Sequence, residues 1–123
     1  MGSVLFNEML RKVEVAANEE HAVVLILTQS YNELKCIVDK CLNVLQDIPG
    51  TYKHNQRRWE NTEAGSLVLF NAIQDDVYKF CGVQATHIFI VGEVGEFQLR
   101  FMTSRLRSAK YKGDLVITLV EPI

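Results

Sequence analysis

The chain has 123 residues, 48% of them hydrophobic and 23% charged, with a formal net charge of −2. That length fits one domain, residues 1–123, able to bury a core without help from disulfides or metal. The apolar fraction and small net charge exclude a disordered chain. No apolar run approaches the ~20 residues of a membrane span. The start Met1-Gly2-Ser3 lacks the basic stretch and cleavage site of a secretory signal. Three cysteines at unremarkable spacing point to a reducing, cytoplasmic location. The near-neutral balance argues against a dedicated non-specific nucleic-acid binder.

Residues 4–17 read as a helix, because Leu5, Met9, Val13 and Ala17 repeat every four positions without Gly or Pro. Residues 22–27 form a short, continuous, β-branched run that suits a strand buried on both faces of a parallel sheet. Ser30 offers a helix N-cap and Glu33 completes a capping-box pattern. Leu34, Ile37, Val38, Cys41, Leu42 and Leu45 then mark an amphipathic helix that Pro49-Gly50 ends. Residues 51–65 are polar and basic and read as short strands with turns at His54-Asn55 and Ala64-Gly65. Further strands are predicted at 66–70, 87–91 and 115–120, and further helices at 74–81 and 96–107. Asp75 and Asp76 suit the first turn of the former, which Gly82 ends. Leu99, Met102 and Leu106 share one face of the latter. The fold class is therefore α/β: a mostly parallel sheet of about four strands with flanking helices and a small β-rich insertion.

In open α/β sheets ligands bind at the carboxyl ends of strands. Glu93 stands at such an end with Glu96 three residues on, where a carboxylate can polarise water or hold a metal, or simply be solvated. His21, His54 and His87 form no metal-ligand pair, so no metal site is expected. Cys36, Cys41 and Cys81 have no partnering histidine and read as structural thiols. Two basic clusters remain. One is Lys53, His54, Arg57 and Arg58 beside Tyr52 and Trp59. The other is Arg100, Arg105, Arg107, Lys110 and Lys112. Such clusters bind phosphates and stack bases, and solvated faces have the same composition. The phosphate-loop pattern G-x-x-x-x-G-K-[ST] does not occur.

One ordered series of segments is more informative. It runs Arg58-Trp59, Gly65-Ser66-Leu67-Val68-Leu69-Phe70, Asp75-Asp76-Val77-Tyr78-Lys79-Phe80-Cys81-Gly82, His87-Ile88-Phe89-Ile90-Val91-Gly92-Glu93, Glu96-Phe97 and Ser104-Arg105-Leu106-Arg107-Ser108. In order and approximate spacing it resembles the ATPase domain of the large terminase subunit, the DNA-packaging motor of tailed phages. At the front, Ser3-Val4-Leu5 resembles the start of the helix after the family's phosphate loop, and 23–28 the strand that follows. The likeness spans nearly the whole chain but only the middle of the family's domain.

The resemblance implies an incomplete P-loop ATPase-like fold, without the phosphate loop, its leading strand or the nuclease domain. Glu93 matches the family's catalytic glutamate, while Gly92 stands where the family has its magnesium-holding aspartate. Phosphoryl transfer depends on positioning and charge neutralisation at the phosphates. The expectation is therefore no ATPase activity, no catalytic or nucleotide-binding residue beyond a vestigial Glu93, and no cofactor.

The function expected is that of a non-catalytic, terminase-like phage or mobile-element protein. It would inhibit or regulate a host or viral complex by binding a macromolecule in the host cytoplasm. Alternatives are a fragment of a packaging ATPase and a nucleic-acid-binding module. Contacts with nucleic acid or a partner would fall on Lys53, Arg57, Arg58, Trp59, Arg105 and Arg107, with weak DNA binding at most. Because the family's strand corresponding to 115–120 neighbours the missing one, the resemblance also implies an open sheet edge at Leu115, Ile117 and Leu119. That edge would pair with a protein partner or a second copy, unless the N-terminal segment covers it.

Overall fold

The structure, a computed structural model, describes residues 3–72, 85–92 and 116–122. Its elements in chain order are α1 (Phe6–Ala17), β1 (Val23–Thr28), α2 (Tyr31–Leu45), β2 (Gly50–Lys53), a 3-10 turn (His54–Gln56), β3 (Arg58–Asn61), β4 (Leu67–Ala72), β5 (His87–Val91) and β6 (Val116–Val120). The six strands form one sheet in the order β2-β3-β4-β1-β5-β6. β4, β1, β5 and β6 run parallel, and β2-β3-β4 is an antiparallel meander. The chain is α/β with a mostly parallel sheet, as expected. The sheet has six strands rather than about four, because β3 of the β-rich segment pairs directly with β4 and extends the sheet. The helices expected at 74–81 and 96–107 lie outside the described residues. Among the described residues no helix is long and apolar enough to cross a membrane.

β1 sits at the centre, and its Val24, Leu25, Ile26 and Leu27 are all fully buried. Successive side chains point to opposite faces, so both faces of this strand are covered. On one face Val24 and Ile26 join Val68, Phe70, Phe89, Val91, Val120 and Trp59 against the two helices. α1 contributes Met9, Val13, Ala16 and Ala17, and α2 contributes Leu34, Ile37, Val38, Cys41 and Leu45. Both stripes follow the helical spacing of their sequences. Leu5 departs from that pattern. It is the N-cap residue of α1, with extended backbone, and its side chain is 59% exposed. At the N-cap of α2 Ser30 is where the capping box puts it, but its side chain makes no capping bond. Instead the Thr28 hydroxyl donates to the Ser30 carbonyl at 3.0 Å.

Helix ends leave carbonyls that need partners. At the buried end of α1 the Ala17 carbonyl accepts from Asn61 Nδ2 at 3.0 Å and from Ser66 Oγ. Asn61 Oδ1 in turn accepts the Glu63 and Ala64 N–H groups, both at 2.9 Å. One buried amide thus shapes the β3–β4 turn and ties it to α1. At the other end of the sheet face, Lys40 Nζ lies 5.4 Å from the Phe6 ring centroid, bridging α2 to α1.

β2 is held to β3 by Trp59, which is 4% exposed and lies directly against Gly50. A Cβ at position 50 would stand 2.4 Å from Trp59 Cζ2 and 2.8 Å from the Glu60 carbonyl oxygen. Neither the core indole nor the backbone can yield. Gly50→Ala should therefore destabilise the fold by about 1–3 kcal/mol, the usual range for overpacking, with a shift in Trp59 emission. Urea titration followed by fluorescence checks this, and a midpoint equal to that of the parent chain would show that the hairpin shifts freely.

Candidate functional site

β6 ends the sheet. Val116 N–H donates to the Thr86 carbonyl and Gly92 N–H to the Val120 carbonyl, both at 3.0 Å. Val116, Thr118 and Val120 therefore turn their backbone groups toward β5, and Ile117 and Leu119 turn theirs away. On the outer side one short rung is occupied. Val4 N–H donates to the Leu119 carbonyl and Glu121 N–H to the Val4 carbonyl, both at 2.9 Å, in parallel direction. Val4 thus covers the carboxyl end of the edge. Among the described residues nothing else pairs with that side, so the Ile117 N–H and C=O and the Leu119 N–H face outward without a described partner. The predicted edge residue Leu115 lies outside the described residues.

Beside this edge a groove of ≈ 400 Å³ opens between α1 and the first half of β6. Arg11, Lys12, Val15, His87, Val116 and Thr118 line it. Val15 is 64% and Val116 50% exposed. His87 is fixed at its floor. Thr86 Oγ1 donates to the Val23 carbonyl at 3.0 Å and accepts the Val23 N–H at 2.9 Å. The same hydroxyl lies 2.9 Å from His87 Nδ1, within hydrogen-bonding distance. This threonine ties β5 to the start of β1, and His87 has the ordinary role of a polar residue at a strand entrance.

The structure divides the first basic cluster three ways. Trp59 is a core residue, which corrects its assignment as a contact: its indole is covered by Gly50 and cannot stack on a base. Arg58 and Lys53 face each other across β2 and β3. They share Glu60, whose Oε2 lies 4.0 Å from Arg58 Nη2 and 3.8 Å from Lys53 Nζ. Exposed pairs of this kind contribute little to stability. Arg57 turns the other way and places its guanidinium 4.4 Å from the Tyr31 ring centroid on α2. Its neighbours Tyr52 and His54 meet edge-on with centroids 6.3 Å apart. Burial pushes the Tyr52 phenol above its ordinary pKa; Arg57 pulls it down and Asp39 pushes it further up. Arg100, Arg105, Arg107, Lys110 and Lys112 lie outside the described residues.

At the carboxyl ends of the strands, Glu93 and Glu96 also lie outside the described residues. Gly92 is described. It has φ +94°, and a Cβ there would meet Gln29 Cγ at 3.3 Å. An L side chain in that conformation is strained. Gln29 itself follows β1, and its Nε2 is buried with no hydrogen-bond partner. Sequence reasoning passed over Gln29, although a polar residue just past a fully buried strand is a visible signal. Among the described residues no group of three or more His, Cys, Asp or Glu side chains is placed to hold a metal ion.

No family model matches this chain, and a search of the curated proteins found no similar one.

The two described cysteines differ sharply. Cys41 is buried and its thiol is pushed up to about 12 by desolvation, whereas Cys36 is exposed. The thiolate is the reactive form. Alkylation at pH 9 followed by peptide mapping should modify Cys36 readily and leave Cys41 untouched until the chain unfolds. Equal labelling of both in the folded chain would show that α2 opens locally.

Proposed function

We propose that this chain is a terminase-like α/β module that acts by binding a macromolecular partner rather than by hydrolysing a nucleotide. The observation that carries the reading is the outer side of β6, a largely apolar strand whose Ile117 and Leu119 amides face away from the sheet beside a groove of mixed character. Such an edge is a template for a further strand, and β-augmentation uses it. The resemblance supports the same reading, because in that family the strand corresponding to β6 has a further parallel neighbour. The glycine at 92 supports the non-catalytic part, since this position supplies no carboxylate for a metal. The protein would then be of phage or mobile-element origin, inhibiting or regulating a host or viral complex.

A second reading, part of a DNA-packaging ATPase, is favoured by the direction of the Val4 rung. Polypeptide approaching Val4 in the same register would run parallel to β6 and complete the sheet within one chain. In either case the isolated 123-residue chain should show no saturable binding of Mg-ATP by calorimetry at micromolar nucleotide. Saturable binding would refute the non-catalytic reading.

The edge itself is tested by amide exchange with solution mass measured in parallel. The Ile117 and Leu119 amides should exchange faster than those of Thr118 and Val120, and should slow when a second strand pairs. Ile117→Pro removes a donor that β5 does not use and should leave the fold intact while abolishing that pairing. Thr118→Pro removes a ladder bond to β5 and should cost about 1–3 kcal/mol, the usual range for a buried carbonyl left without its donor. Full protection of both outward amides in a strict monomer would overturn the reading.

A further inference from the structure

At the far end of the sheet from β6, α2 and the corner between β2 and β3 enclose a second groove of ≈ 420 Å³. Its working residues are Tyr31, Lys35, Asp39, Tyr52, His54 and Arg57. Lys35 and Arg57 outnumber the one carboxylate, Asp39. Three rings stand around them, with Tyr31 42% exposed and His54 exposed as well.

Arg57 is the residue that asks for an explanation. It has φ +48°, ψ +50°, the left-handed region, which costs a non-glycine residue roughly 1–2 kcal/mol. Its backbone duties need no side chain. The N–H donates to the His54 carbonyl at 3.2 Å, closing the 3-10 turn, and the carbonyl accepts the Phe70 N–H at 3.1 Å, joining β4. Glycine or asparagine would perform both at lower cost. What arginine adds is a guanidinium laid 4.4 Å from the Tyr31 ring centroid at the groove wall. A cation held over a ring, with a second cation one helical turn along α2 from Tyr31 and the His54 ring exposed nearby, matches a ligand that is both planar and anionic.

We propose that this groove binds single-stranded nucleic acid, with a base stacked on the exposed His54 ring, its edge toward Tyr52, and the adjoining phosphates at Arg57 and Lys35. Stacking platforms beside cations are how such strands are held without sequence preference. The rings line a groove between a helix and a strand corner, and only an unpaired base presents its face to them. A duplex offers phosphates alone, and the chain's net charge of −2 gives those little long-range attraction. Recognition therefore rests on stacking plus about two phosphate contacts, which predicts a shallow salt slope, about −1.4 in log K against log salt concentration. The proposal is independent of the β6 edge, which lies at the opposite end of the sheet.

Fluorescence anisotropy of the full chain tests it, using labelled oligothymidylate of about eight nucleotides, a duplex of the same length, and polyglutamate as competitor. The expected result is saturable binding of the single strand, weaker binding of the duplex, and little displacement by polyglutamate. Arg57→Gly should weaken binding by about tenfold while leaving the thermal midpoint unchanged or raised. If Arg57→Gly lowers the midpoint instead, Arg57 is also a clamp between the hairpin and α2, and the exposed Lys35→Glu decides alone, with a similar loss expected. No saturable binding of the single strand, equal binding of the duplex, or unchanged affinity in Lys35→Glu would overturn the proposal. Full displacement by polyglutamate would overturn it in favour of an acidic protein partner.

Discussion

The burial of β1 on both faces and along both sides governs the rest of this structure. Four consecutive side chains, Val24 to Leu27, are removed from water, and each is worth about 1.5–3 kcal/mol when fully buried. That gain requires every backbone amide of the strand to find a partner. β4 and β5 supply them, both parallel to β1. Parallel neighbours need crossovers, and those cover the faces. α2, leaving β1 and packing beside α1, supplies one such layer. The meander of β2 and β3 is then an extension on the β4 side, and β6 an extension on the β5 side. The two ends of the sheet, where the candidate surfaces lie, are consequences of a centre that has no freedom.

That hierarchy explains what could be read from the residues. The run at β1, the stripes of α1 and α2, and the strands β4, β5 and β6 were legible because burial imposes a period on composition. The hairpin was legible through its turns, with Gly65 and the break at His54-Asn55. Its destination was not, because pairing β3 with β4 is a non-local choice that no local pattern encodes. The fate of Trp59 was hidden for a related reason. An aromatic residue beside basic ones reads as a stacking surface, but strand alternation sends Arg58 and Trp59 to opposite faces, and Gly50, diagonally across on β2, makes room for the indole. Asn61 likewise looks like a turn residue, and only the structure brings it against the Ala17 carbonyl.

The functional residues fared less evenly. Arg57 was singled out for its charge, yet its significance lies in a backbone conformation that sequence does not disclose. Tyr31 and Lys35 were passed over because they fall on the polar side of an amphipathic helix, where charge and rings are ordinary. The groove they share with Arg57 exists only because the β2–β3 corner folds back beside α2. The edge at β6 was anticipated through the resemblance alone, and the outward phase of Ile117 and Leu119 came from the hydrogen bonds of their neighbours.

The two edges of the sheet make an instructive contrast. β2 is four residues long, ends in Lys53 and runs straight into a 3-10 turn. Shortness, a terminal lysine and an abrupt change of direction are all devices that discourage a further strand from adding. β6 carries none of them: its five residues are Val, Ile, Thr, Leu and Val, and its entrance is the half-exposed Val116. A chain under pressure only to remain monomeric would protect both ends, since either one can seed edge-to-edge association. Among the described residues these devices are confined to the β2 side. The Val4 rung sharpens the point, because it sets a parallel direction and a register on β6, and no other described residue pairs on that side. A strand added there would continue an existing ladder rather than nucleate a new one, so most of its ordering cost would be offset by hydrogen bonds whose phase is already fixed.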